Sequence, residues 1–362
     1  MNQGMDWLST LKGSLNSELM IEAQLRTDIP VLMFYNLDFF EWTEKDRKDV
    51  LELVEVFSDA LKAMGHPVFP LQLSDVNIVQ LFEKYNPKDY VVFNWCEGIP
   101  GIPHSFGKAA RALEELGYSF TGSPSAILDL NDDKRRIKTI LCKNHLQTPR
   151  WMEFGQTNLN KWDLYPAIVK PAFEHCSVGI SPDSIVDDGN ELKKRAEYVA
   201  NQFKQPIIIE EFIDGREFQV GVWGNDPVES LPPVESDFSQ LNDQRDHICT
   251  MDSKDDPNSY RYQKWNMIVP APLNKIENEI LAELCINAYK AIGVRDYARM
   301  DVRYKDDNFF ILDINTNPYI GPECGLIQAA KIAGYSYGEF GSRLINLAWQ
   351  RKEKANHPSD SR

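Results

Sequence analysis

Two apolar segments near the C-terminal end of the chain, joined by a short polar turn, constrain the fold more than any other feature. The sequence RMDVRYKDDNFFILDINTNP places Lys-Asp-Asp-Asn between two runs of strand-forming residues, which predicts an antiparallel hairpin. In the second strand Asp313 and Asn315 are two residues apart and share a face, while Asp301 comes from the neighbouring strand. Three oxygen donors on one sheet face are suited to Mg²⁺, which binds hard oxygen ligands.

The alternative interpretation of these residues is a solvated polar face, since Asp and Asn are common on exposed strands. The flanking residues favour the metal site. Phe310, Leu312 and Ile314 make the opposite face apolar, and Phe309 with Ile311 extends the apolar character to the acidic face. This pattern predicts a strand buried on both sides. A buried carboxylate needs a cation or a hydrogen-bond donor beside it.

Arg299 lies two residues before Asp301 and therefore on the same predicted face. A guanidinium there can stabilise charge on a transferring phosphoryl group or on a tetrahedral oxyanion. The alternative is a structural ion pair with Asp301.

Two further patterns are typical of nucleotide contacts. AIVKPAFEHCSVGIS predicts a strand that ends in Lys170, followed by a loop to Gly179 whose backbone N–H groups can bind phosphate, although GxxxxGK[ST] is absent. IIIEEFIDGREFQV predicts strand, Asp-Gly turn and strand. Its acidic residues can accept hydrogen bonds from an adenine amino group and a ribose hydroxyl, but surface hairpins carry similar charge.

Strand and helix alternate in the first part of the chain, which predicts a parallel sheet. Val31 to Tyr35 is a predicted strand, Thr43 and Asp46 form a predicted capping box, and Tyr90 to Phe93 is the next predicted strand. The polar connection 236–264 is too long for an ordinary turn and is either disordered or a mobile lid. The predicted division is an N-terminal extension (1–28), an α/β domain (29–123), a central subdomain (124–212), a C-terminal subdomain (213–351) and a tail (352–362).

Composition excludes several classes of protein. The 362 residues contain no apolar run long enough to cross a bilayer, and we expect a multidomain cytoplasmic protein without a signal peptide. A net charge of −15 disfavours nucleic-acid and anionic-membrane partners. The six cysteines lack CxxC spacing, which predicts free thiols.

Taken in order, these motifs resemble the ATP-grasp superfamily and specifically its D-alanine–D-alanine ligase branch. The match runs from Val91 to Trp349 through FNWCEG, YSFTGSPS, DDK…K…TPR, VKP…SVG, EEFIDGREF, RMDV…LDINTNP and AGYSY. The first ninety residues match poorly. The resemblance implies an α/β (α+β) ATP-grasp fold, with an N-terminal Rossmann-like parallel-sheet domain and two α+β subdomains clasping ATP.

The resemblance also implies roles for individual residues. Lys134, Lys170, Ser177 and Val178 would contact the ATP phosphates, Glu210, Glu211, Phe212 and Ile213 would lie along adenine, and Glu217 would accept from the ribose. Lys254 would reach the γ-phosphate from the lid. Asp301, Asp313 and Asn315 would hold one or two Mg²⁺ ions, with Mn²⁺ as a possible substitute. Arg299 and the backbone N–H of Tyr319 would stabilise the tetrahedral intermediate.

The departures from the family pattern concentrate where amino-acid substrates would sit. Cys176 replaces a serine, Tyr319-Ile320 replaces Gly-Met, and Glu323-Cys324-Gly325 replaces His-Ser-Leu. The glycine loop whose acid would hold the first D-alanine has no counterpart near Val31 to Phe40. We expect an acceptor pocket lined by 319–325 with residues near Glu97 and His104.

These observations predict an ATP-dependent ligase that joins a small carboxylate to an amine through an acyl phosphate. We expect an amino-acid or small peptide-like substrate other than D-alanine with D-alanine, and a homodimer is expected from the resemblance. The alternatives are a non-catalytic nucleotide-binding module, a kinase that stops after phosphoryl transfer, and a D-alanine–D-alanine ligase proper.

Overall fold

A computed structural model describes residues 25–37, 43–74, 76–155 and 161–356. Within these ranges the chain forms three sheets, one parallel and two antiparallel. Most of the predicted N-terminal extension (1–28), the last residues of the predicted tail and part of the segment Val31 to Phe40 lie outside the described residues.

The N-terminal sheet is parallel, with strand order β2-β1-β3-β4. Its strands are β1 (Val31–Asn36), β2 (Val68–Leu73), β3 (Val91–Trp95) and β4 (Ser119–Phe120), and its helices are α1 (Glu44–Met64), α2 (Ile78–Phe82) and α3 (Phe106–Glu115). The predicted capping box is confirmed at the start of α1, where the Thr43 hydroxyl accepts from the Asp46 N–H at 3.2 Å and Asp46 Oδ2 accepts from the Thr43 N–H at 2.7 Å. Gly65 ends α1 at a φ of 110°, a conformation open mainly to glycine.

The sequence prediction missed β2, and Tyr90 to Phe93 is therefore not the second strand. Pro70 lies inside β2 and removes a backbone donor, which argues against a central strand. In the structure β2 lies at the edge of the sheet, and among the described strands it pairs with β1 alone, so the missing donor of Pro70 is tolerated.

The central sheet is antiparallel, with strand order β5-β8-β6-β7. The elements are the helices α4 (Ser125–Asn131) and α5 (Lys134–Lys143), the strands β5 (Trp151–Glu153), β6 (Ala167–Pro171) and β7 (Ile185–Val186), the helix α6 (Gly189–Phe203) and the strand β8 (Ile207–Glu211). Helix α6 covers one face, where Ala196 and Val199 are buried against Ile209. The opposite face carries Lys170 and Glu210.

The C-terminal sheet is also antiparallel and has the order β12-β11-β9-β13-β14, with β10 paired to β9. Its elements are β9 (Arg216–Trp223), β10 (Glu229–Ser230), β11 (Val234–Asp237), α7 (Met251–Asp255), α8 (Tyr260–Lys264), β12 (Asn266–Ile268), α9 (Lys275–Ile292), β13 (Tyr297–Lys305), β14 (Asn308–Asn315), α10 (Gly325–Ile332) and α11 (Tyr337–Asn356). Ile137 and Leu141 of α5 pack into its core beside Met300. Helix α5 therefore packs on this sheet, although the predicted boundary at residue 124 assigned it to the central subdomain.

A β-bulge in β14 changes which residues share a face of the strand, so the predicted faces are wrong. Asp301 pairs with Asp313 and Val302 pairs with Ile311, so Leu312 is an extra residue in the ladder. The alternation of side chains between the two faces is interrupted at Leu312. Ile314 therefore lies on the core face with Ile311, and not on one face with Leu312 as predicted. The bulge keeps Asp313 on the same face as Asp301 while Ile311 and Ile314 are both buried.

The polar segment 236–264 is structured rather than disordered. It contains a 3₁₀ turn at Gln244–Asp246, followed by α7 and α8. Arg261 on α8 binds Asp246 at 2.7 Å and Asp252 at 3.1 Å, which ties the parts of the segment together. Its role as a lid stays a prediction.

Helix α11 returns to the N-terminal sheet and joins it to the C-terminal sheet in one core. Phe340 contacts Trp223 of β9, with ring centroids 5.8 Å apart, and belongs to the same buried cluster as Phe57 of α1. The helix ends at Asn356, five residues into the segment given above as the tail. No helix among the described residues is long and apolar enough to span a membrane. All six cysteines are free thiols, as predicted.

Candidate active site

The three predicted metal ligands lie together on the face of β13 and β14 that is opposite the apolar core. Asp301 and Asp313 are cross-strand partners, and Asn315 Nδ2 donates to Asp301 Oδ2 at 3.2 Å. Lys134 Nζ donates to Asp313 Oδ2 at 2.6 Å. Burial opposes ionisation of Asp313, but the positive charges around it, that of Lys134 first among them, together outweigh burial and lower the pKa of Asp313.

Arg299 binds Asp301 through two parallel hydrogen bonds of 2.8 and 3.0 Å. Burial would weaken the charged form of Arg299, but Asp301 reverses the effect and raises the pKa of the guanidinium. The ion pair that the sequence offered as an alternative is present, and it holds a permanent positive charge beside the acidic pair.

Helix α5 positions Lys134 because its first turn meets the C-terminal sheet. The Asp133 side chain caps the helix by accepting from the Arg135 N–H at 3.0 Å, and the Lys134 N–H donates to Ala172 O at 3.1 Å. Lys138 lies one turn further along the same helix face. The sequence analysis assigned no role to Lys138, although its i,i+4 spacing from Lys134 on an amphipathic helix was a signal that could have found it.

Lys138, Glu210 and Lys170 form a buried ionic cluster. Glu210 is 1% exposed and lies 2.7 Å from Lys170 Nζ and 3.2 Å from Lys138 Nζ. Lys138 also donates to Thr148 Oγ1 at 2.7 Å. Burial lowers the pKa of Lys138 to about 8, with Glu210 opposing the shift. The Glu210 carboxylate thus binds two lysines, while Glu211 lies on the other face of β8 by alternation.

The predicted phosphate loop has an unusual backbone. Cys176 and Ser177 adopt left-handed φ values of 54° and 66°, and Gly179 follows with 76°. Non-glycine residues in this region are strained, and such strain clusters at functional sites. The Val178 N–H donates to His175 O at 3.0 Å, which closes the turn.

Segment 236–264 contacts this loop directly. Lys254 Nζ donates to Ser177 Oγ at 2.8 Å, and Ser177 Oγ donates to the Cys249 carbonyl at 2.7 Å. Ile248 packs against Phe212 and Ile185. The predicted lid lysine and the predicted phosphate loop are therefore adjacent.

Glu217 is paired with Arg303, at 2.7 Å. Arg303 also donates to the carbonyls of Ile213 and Gly215, at 3.1 Å each. It contacts the His247 carbonyl as well. Arg303 carried no role in the sequence analysis, and its alternate-residue spacing from Arg299 and Asp301 was the available signal.

Two of the residues that depart from the family pattern, Cys176 and Cys324, lie close enough to Arg299 to interact with its charge. Tyr319 is 40% exposed, its hydroxyl donates to Glu323 at 2.7 Å, and its carbonyl accepts from the Cys324 thiol at 3.3 Å. Burial raises the pKa of Cys324 to about 11, which leaves a neutral thiol near Arg299.

The donor set suits Mg²⁺. Asp301 and Asp313 offer carboxylate oxygens, and Asn315 retains its amide oxygen because its Nδ2 makes the bond to Asp301. Among the described residues no group of three or more His, Cys, Asp or Glu side chains is arranged to hold a metal ion. Three ligands from Asp301, Asp313 and Asn315 would leave the rest of the coordination shell to substrate oxygens or water.

Comparison with known proteins identifies the family. The model of the D-ala D-ala ligase C-terminus matches residues 143–346, more than half of the chain. A D-alanine–D-alanine ligase of Cupriavidus pinatubonensis is 32% identical over 67% of this chain and 71% of its own. An uncharacterized protein of Sinorhizobium fredii is 28% identical over 81% of this chain and 86% of its own.

A solved structure agrees on the fold. The D-alanine–D-alanine ligase of Bacillus anthracis, complexed with ATP, has a TM-score of 0.69 at 18% identity and covers 90% of this chain and 99% of its own. The parallel N-terminal sheet and the two antiparallel sheets confirm the expected ATP-grasp architecture. The chain belongs to the D-alanine–D-alanine ligase family and is an ATP-grasp ligase.

Proposed function

We propose that this ligase activates a small carboxylate as an acyl phosphate at the face of β13 and β14 and transfers the acyl group to an amine. The observation that carries the proposal is the convergence of Lys134, Asp313, Asp301 and Arg299 within direct hydrogen-bonding contacts on one face. Binding of a nucleotide alone does not require an arginine at the reacting carbonyl, which favours the ligase over a non-catalytic module.

ATP supplies the phosphoryl group that is transferred, and Mg²⁺ would supply positive charge that neutralises the phosphate oxygens. Asp301, Asp313 and Asn315 are the residues that would hold the metal. Lys134 and Lys170 provide positive charge on the phosphate side of the cleft. Each is held in place by a carboxylate partner, so little reorganisation is needed. Lys254 with the loop around Ser177 covers the γ-phosphate and excludes water.

Arg299 and the backbone N–H of Tyr319 act on the acyl group. The donor carboxylate attacks the γ-phosphate and forms the mixed anhydride with release of ADP. The neutral amine then attacks the carbonyl carbon, and the oxyanion of the tetrahedral intermediate is stabilised by the guanidinium of Arg299. Collapse of the intermediate breaks the bond from the carbonyl carbon to the phosphate oxygen, the departing phosphate takes up the proton that the nitrogen loses, and the amide remains.

We infer that the substrates differ from D-alanine with D-alanine. The support is local: Tyr319 contacts Glu323 and Cys324 beside Arg299, where the family pattern has Gly-Met and His-Ser-Leu. An exposed aromatic ring and an acid there alter both the shape and the charge of the acceptor side.

The test is ADP release from the purified protein with Mg·ATP, across amino acids, dipeptides and other small carboxylates, each offered with and without amines. We expect release that depends on both a carboxylate and an amine, with an amide as product. Robust synthesis of D-alanyl-D-alanine would contradict the altered substrate choice. Nucleotide binding without turnover for any pair would instead favour the non-catalytic module, and a stable phosphorylated product would favour a kinase.

A further inference from the structure

Helix α6 binds the far end of the phosphate loop through an arginine that has no part in the mechanism above. Arg195 lies on α6, and its Nη2 donates to the Gly179 carbonyl and to Ser184 Oγ, at 2.7 Å each. Ser184 is fully buried, and its Oγ also accepts from the Ser181 N–H at 3.0 Å. One guanidinium therefore fixes both the last residue of the loop and the 3₁₀ turn that follows it.

The near end of the loop is bound by a residue just beyond the same helix. Gln205 lies between α6 and β8, and its Oε1 accepts from the Phe173 N–H at 2.6 Å. Its Nε2 donates to Glu174 Oε1, also at 2.6 Å. Both ends of the phosphate loop are therefore attached to one short stretch of chain, 195–205.

Close packing restricts the loop further at Gly179. This residue has a φ of 76°, and a Cβ atom added to it would lie 2.8 Å from Phe203 Cζ and 3.0 Å from Pro171 Cγ. Glycine is thus required both by the backbone conformation and by the space available. Phe203 blocks movement of the loop towards α6, and the hydrogen bonds of Arg195 and Gln205 oppose movement away from it.

The conformation held in this way leaves backbone donors of the loop unpaired. The Ile180 N–H donates to Ser177 O at 3.0 Å. The N–H groups of Cys176, Ser177 and Gly179, in contrast, donate to no other described residue. Backbone N–H groups in turns of this kind form concave sites that bind anions. The loop therefore offers donors to phosphate as long as its backbone keeps this conformation.

The surroundings of Arg195 are unfavourable for a purely structural residue. Its side chain is half-buried, and burial lowers its pKa because the attraction of Tyr198 and Asp183 does not offset the loss of solvent. Its Nε has no hydrogen-bond partner among the described residues. A desolvated guanidinium with an unsatisfied nitrogen reduces stability, which favours a functional reason for its position.

We propose that Arg195 and Gln205 are positioning residues for phosphate binding, which hold the two ends of the loop so that its unpaired N–H groups are aligned before the nucleotide binds. They act through the loop and not by touching the nucleotide. The inference rests on the proposed function, in which this loop covers the γ-phosphate, and it deepens that function by explaining how the loop is preorganised. Preorganised donors bind anions more tightly because they need no reordering.

The experiment measures how much the β- and γ-phosphates contribute to nucleotide affinity. AMP and a non-hydrolysable ATP analogue are titrated in the presence of Mg²⁺, and the ratio of their dissociation constants is compared among variants. The variants are Arg195→Met, Gln205→Leu and the control Lys193→Met, which removes a charge from an exposed position of α6. We expect Arg195→Met and Gln205→Leu each to reduce the preference for the analogue by roughly 10-fold with unchanged AMP affinity, and Lys193→Met to behave as wild type.

Urea unfolding identifies the folded variants. Gln205 is only half-buried, so Gln205→Leu tests the inference even where Arg195→Met does not fold. An undiminished preference in either folded variant would overturn the inference, and so would an equal loss of affinity for both nucleotides, which is what a general loss of structure produces. Wild type that binds the analogue no more tightly than AMP would also overturn it.

ADP release by wild type, with carboxylates and amines offered together, separates this inference from the proposed function. A reduced preference in both variants supports the roles of Arg195 and Gln205 even without ADP release, in which case only the ligase function fails. ADP release with an undiminished preference in the variants leaves the ligase function standing and removes the positioning residues.

Discussion

Asp313 is the residue at which the fold and the proposed chemistry meet most closely. Its side chain is 25% exposed and forms an ion pair with Lys134. Asp313 is also the cross-strand partner of Asp301. We expect Asp313→Asn to lower the rate of ADP formation by roughly 100-fold or more, because the substitution removes charge that would balance the metal while keeping the shape of the side chain. Steady-state ADP release measures the effect.

The matched control is Asp306→Asn. Asp306 is exposed in the β13–β14 turn at a φ of 48°, a conformation that asparagine tolerates. This variant should retain wild-type activity. An active Asp313→Asn would remove Asp313 from the site.

Glu97 provides a prediction about pH. Its pKa is raised from 4.5 to about 7 by burial. A raised pKa means that the folded protein binds the extra proton, so the resulting stability is present below pH 4.5 and is lost as the pH rises through 7. Wild type should therefore lose stability relative to Glu97→Gln between pH 5 and 8, as measured by urea unfolding. A constant difference across this range would show that the Glu97 pKa is close to that of the unfolded chain.

At the scale of single residues, the residues that carry the site's chemistry were easier to predict from the sequence than the ion pairs they form. Asp301, Asp313 and Arg299 were found because alternation in a strand fixes which residues share a face. Lys138 and Arg303 were missed, because the sequence does not show that a distant acid, Glu210 or Glu217, lies within 3.2 Å of each.

Among the elements, the segment formed by α7 and α8 is the one whose contacts most directly predict an effect on activity. Lys254 contacts the phosphate loop through Ser177. We expect Lys254→Ala to lower kcat by roughly 100-fold, because a positive charge at the transferring phosphoryl group is lost, with a smaller change in nucleotide affinity. ADP release and nucleotide titration measure the two quantities.

Lys275→Ala is the control for this substitution. Lys275 is exposed at the start of α9 and pairs only with Glu279, at 3.8 Å, among its described ion pairs. It should behave as wild type. Equal activity of Lys254→Ala and Lys275→Ala would contradict a role for Lys254 at the γ-phosphate.

The sequence predicted several strands of this chain and the start of its first long helix, and the failures have physical causes. The start of helix α1 was predicted from its capping box, which is a local property. Strand β2 was missed because Pro70 is acceptable only at a sheet edge, and edge position is a property of the whole sheet. The bulge at Leu312 was missed because strict alternation does not predict where an extra residue enters.

For the whole molecule, helix α11 links the N-terminal and C-terminal sheets through Phe340. Its ring is fully buried and stacks on Trp223 of β9. We expect Phe340→Ala to reduce the free energy of unfolding by about 3–5 kcal/mol, because it opens a cavity in a core that both sheets share. Chemical denaturation followed by circular dichroism and by fluorescence should show one coincident, destabilised transition.

The control is Phe69→Ala on the edge strand β2. Phe69 is 39% exposed, so its removal should cost less than about 1–2 kcal/mol. Separate transitions for the two probes in Phe340→Ala would show that the sheets fold as independent units. Helices α5 and α11 pack onto sheets that are distant from them in sequence, and no local pattern in the sequence predicts such packing.

The central claim is that a carboxylate of the substrate is activated as an acyl phosphate, and the fate of its oxygen tests this claim most directly. A donor carboxylate labelled with heavy oxygen is turned over with unlabelled ATP and an amine, and the released phosphate is analysed by mass spectrometry. The account predicts one labelled oxygen in each phosphate, because the carboxylate oxygen that attacks the γ-phosphate leaves with it. Unlabelled phosphate accompanying amide formation would contradict the account.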